Sequence, residues 1–392
     1  MYARLSILIF FHFFLWGSWF VTAGTYLISN LEFSGSQIGL IYSTTAISAI
    51  LSPLAMGVLA DRYFSVEKIL TILYITGGGL LWWMSYITSF PLFFIAILIY
   101  MLVFLPSFSL ANSLCFHHVQ DARFDFPKIR VWGTIAWIIA GIIVGTLRLE
   151  DQPITMRIAG SISFLLAIYC LTLPSTPPTH QSGGTIWEFL KGKEITDLFK
   201  DRSFVILISS VAVICIPTAY YYSFVNPFLN EMGVVNAAGK MSIGQVTEIV
   251  LMLLLPWIFR IFRLKYIIFT GLFLWGFRYL FFVIGIEYHL EWWYLTGLLV
   301  HGAAYIFATL TSQIYLDTRV PRHLRSTAQG FYSFLTFGIG AFVGSIIAGG
   351  TVSAFNMGPN QHDWQTIWMI PSVIGIITAF VFLLLFKNKS KT

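Results

Sequence analysis

The sequence predicts an all-α integral membrane protein of twelve transmembrane helices in two six-helix halves. Three observations predict it. Of 392 residues, 57% are hydrophobic and only 10% are charged, whereas a soluble domain carries about 25% charged residues. A mean hydropathy of +0.79 suits lipid as the solvent. Apolar runs long enough to cross a bilayer recur along the chain, and the Lys and Arg residues segregate to one side of the resulting topology.

A helix needs about 20 apolar residues to span the hydrocarbon core. Such runs lie at approximately 4–29, 35–60, 68–88, 91–115, 129–148, 156–173, 203–229, 240–261, 265–286, 291–316, 325–350 and 364–386. The first, Ile7 to Ile28, is too long for a signal peptide, holds Trp16 and Trp19, and lacks a small-residue cleavage site. With both termini cytoplasmic, 18 of the 23 Lys and Arg fall in inside segments. The outside loops hold only Arg148, Arg157 and Lys240, while Arg130 and Arg278 sit in or at the edge of spans. This bias is the positive-inside signal and fixes the orientation, with both termini cytoplasmic; the expected location is a bacterial inner (cytoplasmic) membrane. The net charge of +6 is therefore mostly an insertion signal. The basic residues form no continuous patch, so no nucleic-acid partner is expected. Cys115, Cys170 and Cys215 all lie in apolar runs and read as small core residues, not a disulfide framework or metal site.

One loop differs from the rest. Leu173 to Arg202 opens as LPSTPPTHQSGGT, which breaks helices, and continues as the amphipathic IWEFLKGKEITDLFK, suited to a membrane surface. The predicted organisation is thus an N-terminal six-helix bundle (1–173), a cytoplasmic central loop (174–202), and a C-terminal six-helix bundle with a short cytoplasmic tail (203–392). Six plus six with a long middle loop resembles the major facilitator superfamily, whose halves enclose a midplane site. Gly57-Val-Leu-Ala-Asp61-Arg62-Tyr63 resembles that superfamily's G-x-x-x-D-R signature. The resemblance implies that Gly57 permits close helix contact and that Asp61 and Arg62 gate the cytoplasmic face. The matching loop of the second half, Pro256 to Lys265, keeps the positive charge and loses the acid.

An ionisable residue within a span is costly unless it is paired or faces water, so each is a functional candidate. The candidates are His12, Arg130, Glu248, Arg278 and His301. Arg130, Thr134 and Trp137 are spaced i, i+4, i+7 and share one helix face. A guanidinium fork, a hydroxyl and an indole suit a polar, ring-bearing solute; the alternative is an Arg130 that snorkels at the membrane edge. Gln245 and Glu248 lie one turn apart. Burial without a cation would favour the neutral form of Glu248, which makes it the expected proton carrier, with a fixed ion pair to Arg130 or Arg278 as the alternative. His301, followed by the small residues Gly302, Ala303 and Ala304, is suited to bind solute or relay a proton, or else is a satisfied core histidine. Arg278 needs an internal partner. His12 has no evident one, and Asn112, Asn226 and Gln313 are weaker candidates.

No enzyme motif competes. The chain lacks a P-loop, HExxH and GxSxG, and His117-His118 has no further metal-type ligands nearby and reads as solvated polar surface. The expectation is a transporter and not an enzyme, with no cofactor beyond the proton as coupling ion. It would act on a small-molecule substrate in the lipid bilayer and function as a monomer. A non-transporting solute sensor of the same fold is disfavoured, because the tail after Phe386 offers no signalling domain.

The sequence also resembles the nucleoside:proton symporters of the same superfamily. The stretches that carry the resemblance are LWGSW (Leu15 to Trp19), the loop around Asp61, FPKIRVWGT (Phe126 to Thr134), RSTAQG (Arg325 to Gly330) and DWQTIW (Asp363 to Trp368). They occur in the same order over nearly the whole chain. The resemblance implies nucleoside contacts at Arg130, Thr134, Trp137, Gln245 and Glu248, with His301 where the family has a tyrosine. Departures lie at Ala219 and Tyr222, where the family has amides, and at Ile306, where it has an acid. Arg130, Trp137, Arg278 and His301 look, more distantly, like positions of the lactose permease. A proton-coupled glycoside permease is therefore the alternative to a proton-coupled nucleoside importer.

Overall fold

The computed structural model describes residues 1–62, 64–177, 199–320 and 325–387, with the side chains of 53–62, 122–124 and 326–327 outside the description. Helix covers every one of the apolar runs. The first is divided between α1 (Tyr2–Gly17) and α2 (Ala23–Ser29), with helical hydrogen bonds such as Ala23 N–H to Trp19 C=O carried across the join. There follow α3 (Gly35–Arg62), α4 (Val66–Met84), α5 (Phe90–Phe104), α6 (Pro106–His118), α7 (Ala122–Thr146) and α8 (Ile154–Thr172). Pro106 opens α6 without breaking the span, because the first turn of a helix needs no N–H from it.

The later helices are α9 (Arg202–Glu231), α10 (Ala237–Met241), α11 (Ile243–Ile261), α12 (Leu264–Tyr288), α13 (Glu291–Leu299), α14 (His301–Tyr305), α15 (Thr311–Arg319), α16 (Arg325–Ser333), α17 (Ala341–Ala354) and α18 (Trp364–Leu385). A wide turn at Ile306–Leu310 joins α14 to α15, and another at Phe334–Gly340 joins α16 to α17. Such π-type turns insert a residue into the helix and are frequent at functional sites. In the first of them, the Thr311 hydroxyl donates to the Ile306 carbonyl at 3.0 Å, satisfying a group that the altered register would orphan. A small antiparallel hairpin, β1 (Asn356–Gly358) with β2 (Gln361–His362), turns through Asn360 at φ 51°.

Among the described residues, nine helical stretches from Phe90–His118 to Trp364–Leu385 are long and apolar enough to cross a membrane, and Tyr2–Gly17 is a shorter apolar helix. Their outer faces expose large aliphatics, with Leu253 and Leu384 each 75% exposed. That pattern is costly in water and ordinary against lipid.

The chain divides into two compact units. One has the bounds Met1–Ser182 and Ser223–Ser242, the other Gly183–Tyr222 and Ile243–Thr392. The division falls inside α9. In the first unit, α4 packs on α8 and α1 on α7. In the second, α12 and α18 cross where Gly276 meets Gly375; a Cβ on Gly375 would lie 2.5 Å from the Gly276 Cα. Without a hydrophobic drive between helices in lipid, close approach at small residues supplies the packing energy.

The start of the central loop is fixed within the first unit. Thr176 N–H donates to the Glu67 carboxylate at 2.9 Å, and its hydroxyl lies 2.8 Å from His118 Nε2. His118 is thus a half-buried helix-end residue that holds this segment, not the solvated surface read from the sequence. Residues 178–198, including most of the amphipathic stretch, lie outside the described residues.

Candidate functional site

In the first unit the site builds on α7 against α1. Arg130, Thr134 and Trp137 lie on one side of α7 and all three are half-buried. The Arg130 guanidinium carbon lies 4.1 Å from the centre of the Phe13 ring, a cation–π contact worth about 0.5–2 kcal/mol depending on desolvation. Gly133 makes room for both groups: a Cβ there would fall 2.7 Å from the Phe13 ring and 2.8 Å from Arg130 Nη1. One turn on, Trp137 packs over Gly17, whose added Cβ would meet the indole at 3.2 Å. The Gly of the LWGSW stretch therefore seats the tryptophan of α7. The arrangement keeps a cation and an aromatic ring on the same side of one helix, both in contact with α1.

The second unit holds a different cluster. Arg278 of α12 and His301 of α14 are buried, at 0% and 1% exposure, and Arg278 Nη1 lies 2.9 Å from His301 Nδ1. A guanidinium only donates, so His301 Nδ1 accepts and the ring hydrogen sits on Nε2. Tyr221 of α9 stacks on the imidazole with centroids 4.5 Å apart, and its ring centre is 4.0 Å from the Arg278 guanidinium carbon. Groups on opposite faces of a ring could not be in hydrogen-bond contact, so Arg278 and His301 share one face of Tyr221. Among the described residues, Arg278 Nε and Nη2 find no hydrogen-bond partner, nor does the buried Gln245 Oε1. Those atoms leave three N–H donors and one acceptor for further polar chemistry.

Gln245 and Glu248 reach this cluster through backbone contact between α11 and α14. A Cβ on Gly244 would lie 2.9 Å from the His301 Cβ, and one on Gly302 would lie 2.3 Å from the Glu248 backbone nitrogen. Glu248 is half-buried. Arg278, His301, Gln245 and Glu248 are therefore gathered in one unit.

Gly57, Asp61 and Arg62 end α3, but their side chains lie outside the described residues. His12 does have a partner that the sequence could not supply: its Nδ1 is 2.9 Å from the Tyr74 hydroxyl, and its ring packs on Phe104 and Phe108. Sequence reasoning missed Phe13 and Tyr221, which lack any polar or periodic signal. It also missed Glu150, a loop carboxylate only 5% exposed.

Residues 1–391 match the model of a family described as Nucleoside H+ symporter. The putative nucleoside transporter YegT of Escherichia coli (strain K12) is 35% identical over 400 residues, covering 98% of this chain and 94% of that one. Xanthosine permease of the same organism is 30% identical over 399 residues, covering 98% and 95%. The crystal structure of nucleoside transporter NupG superposes with a TM-score of 0.90 at 28% identity, covering 99% of each chain. The fold is that of the major facilitator superfamily. The match along the whole chain decides between the nucleoside and glycoside readings that Arg130, Trp137, Arg278 and His301 left open. The protein is an integral membrane transporter and not an enzyme, and the chain belongs to the nucleoside H+ symporter family.

Proposed function

We infer that this protein imports nucleosides together with protons across the cytoplasmic membrane of a bacterium, by alternating access, with both termini inside. The observation that carries the reading is the family match over residues 1–391; the orientation rests on the segregation of Lys and Arg to the inside segments. Arg130, Thr134 and Trp137 are assigned to the nucleoside from the first unit, and Gln245, Glu248 and His301 from the second. Trp137 would stack on a ring of the solute. Arg130 would donate to its oxygens and Thr134 would add a hydroxyl contact.

Glu248 is assigned as the proton carrier, because a carboxylate in a span is the group best able to alternate between a neutral and a charged form as its surroundings change. Arg278 and His301 would set the field in which it does so. Gly57, Asp61 and Arg62 are assigned to the cytoplasmic gate, the working unit is a monomer, and the proton alone serves as coupling ion. The test is uptake of labelled uridine or adenosine into right-side-out vesicles, with an inward proton gradient and after its collapse by a protonophore. Uptake should be concentrative only with the gradient. Uptake indifferent to it would overturn symport, and uptake of a galactoside without nucleoside would overturn the substrate class.

A further inference from the structure

Arg157 is a cation where a cation is disfavoured. It is one of only three basic residues assigned to the outside, against the bias that keeps Lys and Arg on the other face. It lies close to the N-terminus of α8, the positive end of the helix dipole. The first turn of α8 holds no acid to offset it, and among the described residues no carboxylate pairs with it.

The side chain is nevertheless held in one geometry. Its Nε donates to the Ser85 hydroxyl at 3.0 Å. Its guanidinium carbon lies 4.6 Å from the centre of the Tyr86 ring and 6.0 Å from that of Trp82. These three partners come from the end of α4 and the residues just after it. The two helices meet closely below them. A Cβ on Gly160 would lie 2.6 Å from the Trp82 ring, and one on Gly78 would lie 3.0 Å from the Gly160 carbonyl oxygen. Among the described residues only Nε finds a hydrogen-bond partner, so the two Nη groups remain as a fork of four N–H donors. A planar fork of this kind is suited to two oxygens of one phosphate.

The surface that runs away from the fork is apolar. Arg157, Phe164, Ile168 and Leu171 are spaced i, i+7, i+11 and i+14 and share one face of α8. Ile168 is 64% exposed and Leu171 is 66% exposed. On α4, Ile72, Ile75 and Trp83 are exposed too, and so is Tyr86 beyond its end. Trp and Tyr at the end of a span stand at the level of lipid headgroups. An anion held by Arg157 would therefore have a long apolar surface directly beside it. A soluble anion has no use for that surface, whereas a phospholipid carries a phosphate and acyl chains in one molecule.

We propose that Arg157, seated by Ser85 and Tyr86, binds the phosphate of a phospholipid whose acyl chains lie along the exposed faces of α4 and α8. On the orientation inferred above it is a lipid of the outer leaflet. The site uses none of the residues assigned to nucleoside or proton.

The test needs neither nucleoside nor a gradient, so its outcome is separate from that of the uptake experiment. Full-length protein, purified in detergent and stripped of lipid, is titrated with phosphatidylglycerol or with a diacylglycerol of the same chains, which lacks the phosphate. Bound lipid is read by native mass spectrometry. Phosphatidylglycerol should bind more tightly than diacylglycerol. Arg157→Gln should weaken phosphatidylglycerol binding by about 10- to 100-fold, as expected for the loss of hydrogen bonds between charged groups, and leave diacylglycerol binding unchanged. Tyr86→Leu keeps the cation and an apolar surface but removes its aromatic seat. It should weaken binding by about 3- to 10-fold, and it serves if Arg157→Gln does not fold. Lys128→Gln removes an exposed cation already paired with Asp125 at 3.5 Å and should change nothing. A loss there equal to that in Arg157→Gln would reveal general charge attraction and overturn the site. Displacement of phosphatidylglycerol by an equal concentration of inorganic phosphate would mark a free-phosphate site and overturn the lipid. Equal binding of the two lipids, or unchanged phosphatidylglycerol binding in every folded variant, also overturns the proposal.

Discussion

Gly302 is the position where the geometry of the second cluster makes its sharpest demand. A methyl group there would sit 2.3 Å from the Glu248 backbone nitrogen and 2.5 Å from both Thr247 Oγ1 and the Thr247 carbonyl carbon. Ordinary van der Waals contact begins near 3.4 Å, so α14 and α11 would have to separate by about 1 Å in Gly302→Ala. The opposing nitrogen is backbone inside a helix and cannot swing aside as a side-chain tip could. Overpacking of this kind costs about 1–3 kcal/mol, and a displacement of about 1 Å between positioned groups can cost on the order of a hundredfold in function. Gly302→Ala should therefore lower the kcat/KM of nucleoside uptake by about 10- to 100-fold and lower Tm. The matched control is Gly350→Ala, where a Cβ meets nothing within 4 Å and the better helix former should add about 0.5–1 kcal/mol. Both are measured by initial-rate uptake in proteoliposomes and by thermal melting in detergent. If Gly302→Ala matches Gly350→Ala in rate and Tm, the close approach of α14 to α11 is not as described, and the link from His301 to Glu248 goes with it.

Trp137→Ala should weaken nucleoside binding by about 5- to 150-fold, the equivalent of about 1–3 kcal/mol for the loss of a base-stacking ring. Equilibrium binding of a labelled nucleoside checks it, and unchanged affinity would remove Trp137 from the solute. Glu248→Gln should abolish gradient-driven accumulation while nucleoside exchange continues; normal accumulation in that variant would take Glu248 out of coupling. Arg278→Lys should destabilise the protein by about 1–3 kcal/mol, because one ammonium nitrogen cannot replace both the Nη1 that bonds His301 Nδ1 and the guanidinium carbon 4.0 Å from the Tyr221 ring centre. An unchanged melting temperature would show that the planar guanidinium does no such work.

Features carried by local chemistry were legible in the sequence. Hydropathy located the helical runs, since every backbone polar group in lipid must be satisfied within its own segment. The spacing of Arg130, Thr134 and Trp137 placed them on one helix face, and the small residues after His301 pointed to close packing, which Gly302 provides. Partners distant in sequence were not legible. Nothing near His12 announces Tyr74, and nothing near Arg278 announces Tyr221, because an aromatic ring in a chain so rich in aromatics carries no distinguishing pattern. Nothing around Glu150 in the sequence marks it as buried, yet it is 5% exposed. Its importance lies in three donors about 80 residues further on, a coincidence that only the folded chain reveals. The breaks within runs were hidden for another reason: π-type turns at Ile306–Leu310 and Phe334–Gly340 alter hydrogen-bond register without altering hydropathy.

Coupling is reciprocal, so a nucleoside gradient must be able to drive protons just as protons drive nucleoside. Purified protein is reconstituted into liposomes that enclose a pH-sensitive dye, with no proton gradient imposed and the membrane potential clamped. Uridine or adenosine is then added outside. The account predicts acidification of the lumen that begins with nucleoside entry, saturates with nucleoside concentration, and is absent in Glu248→Gln. Nucleoside entry without any change in lumenal pH would contradict it.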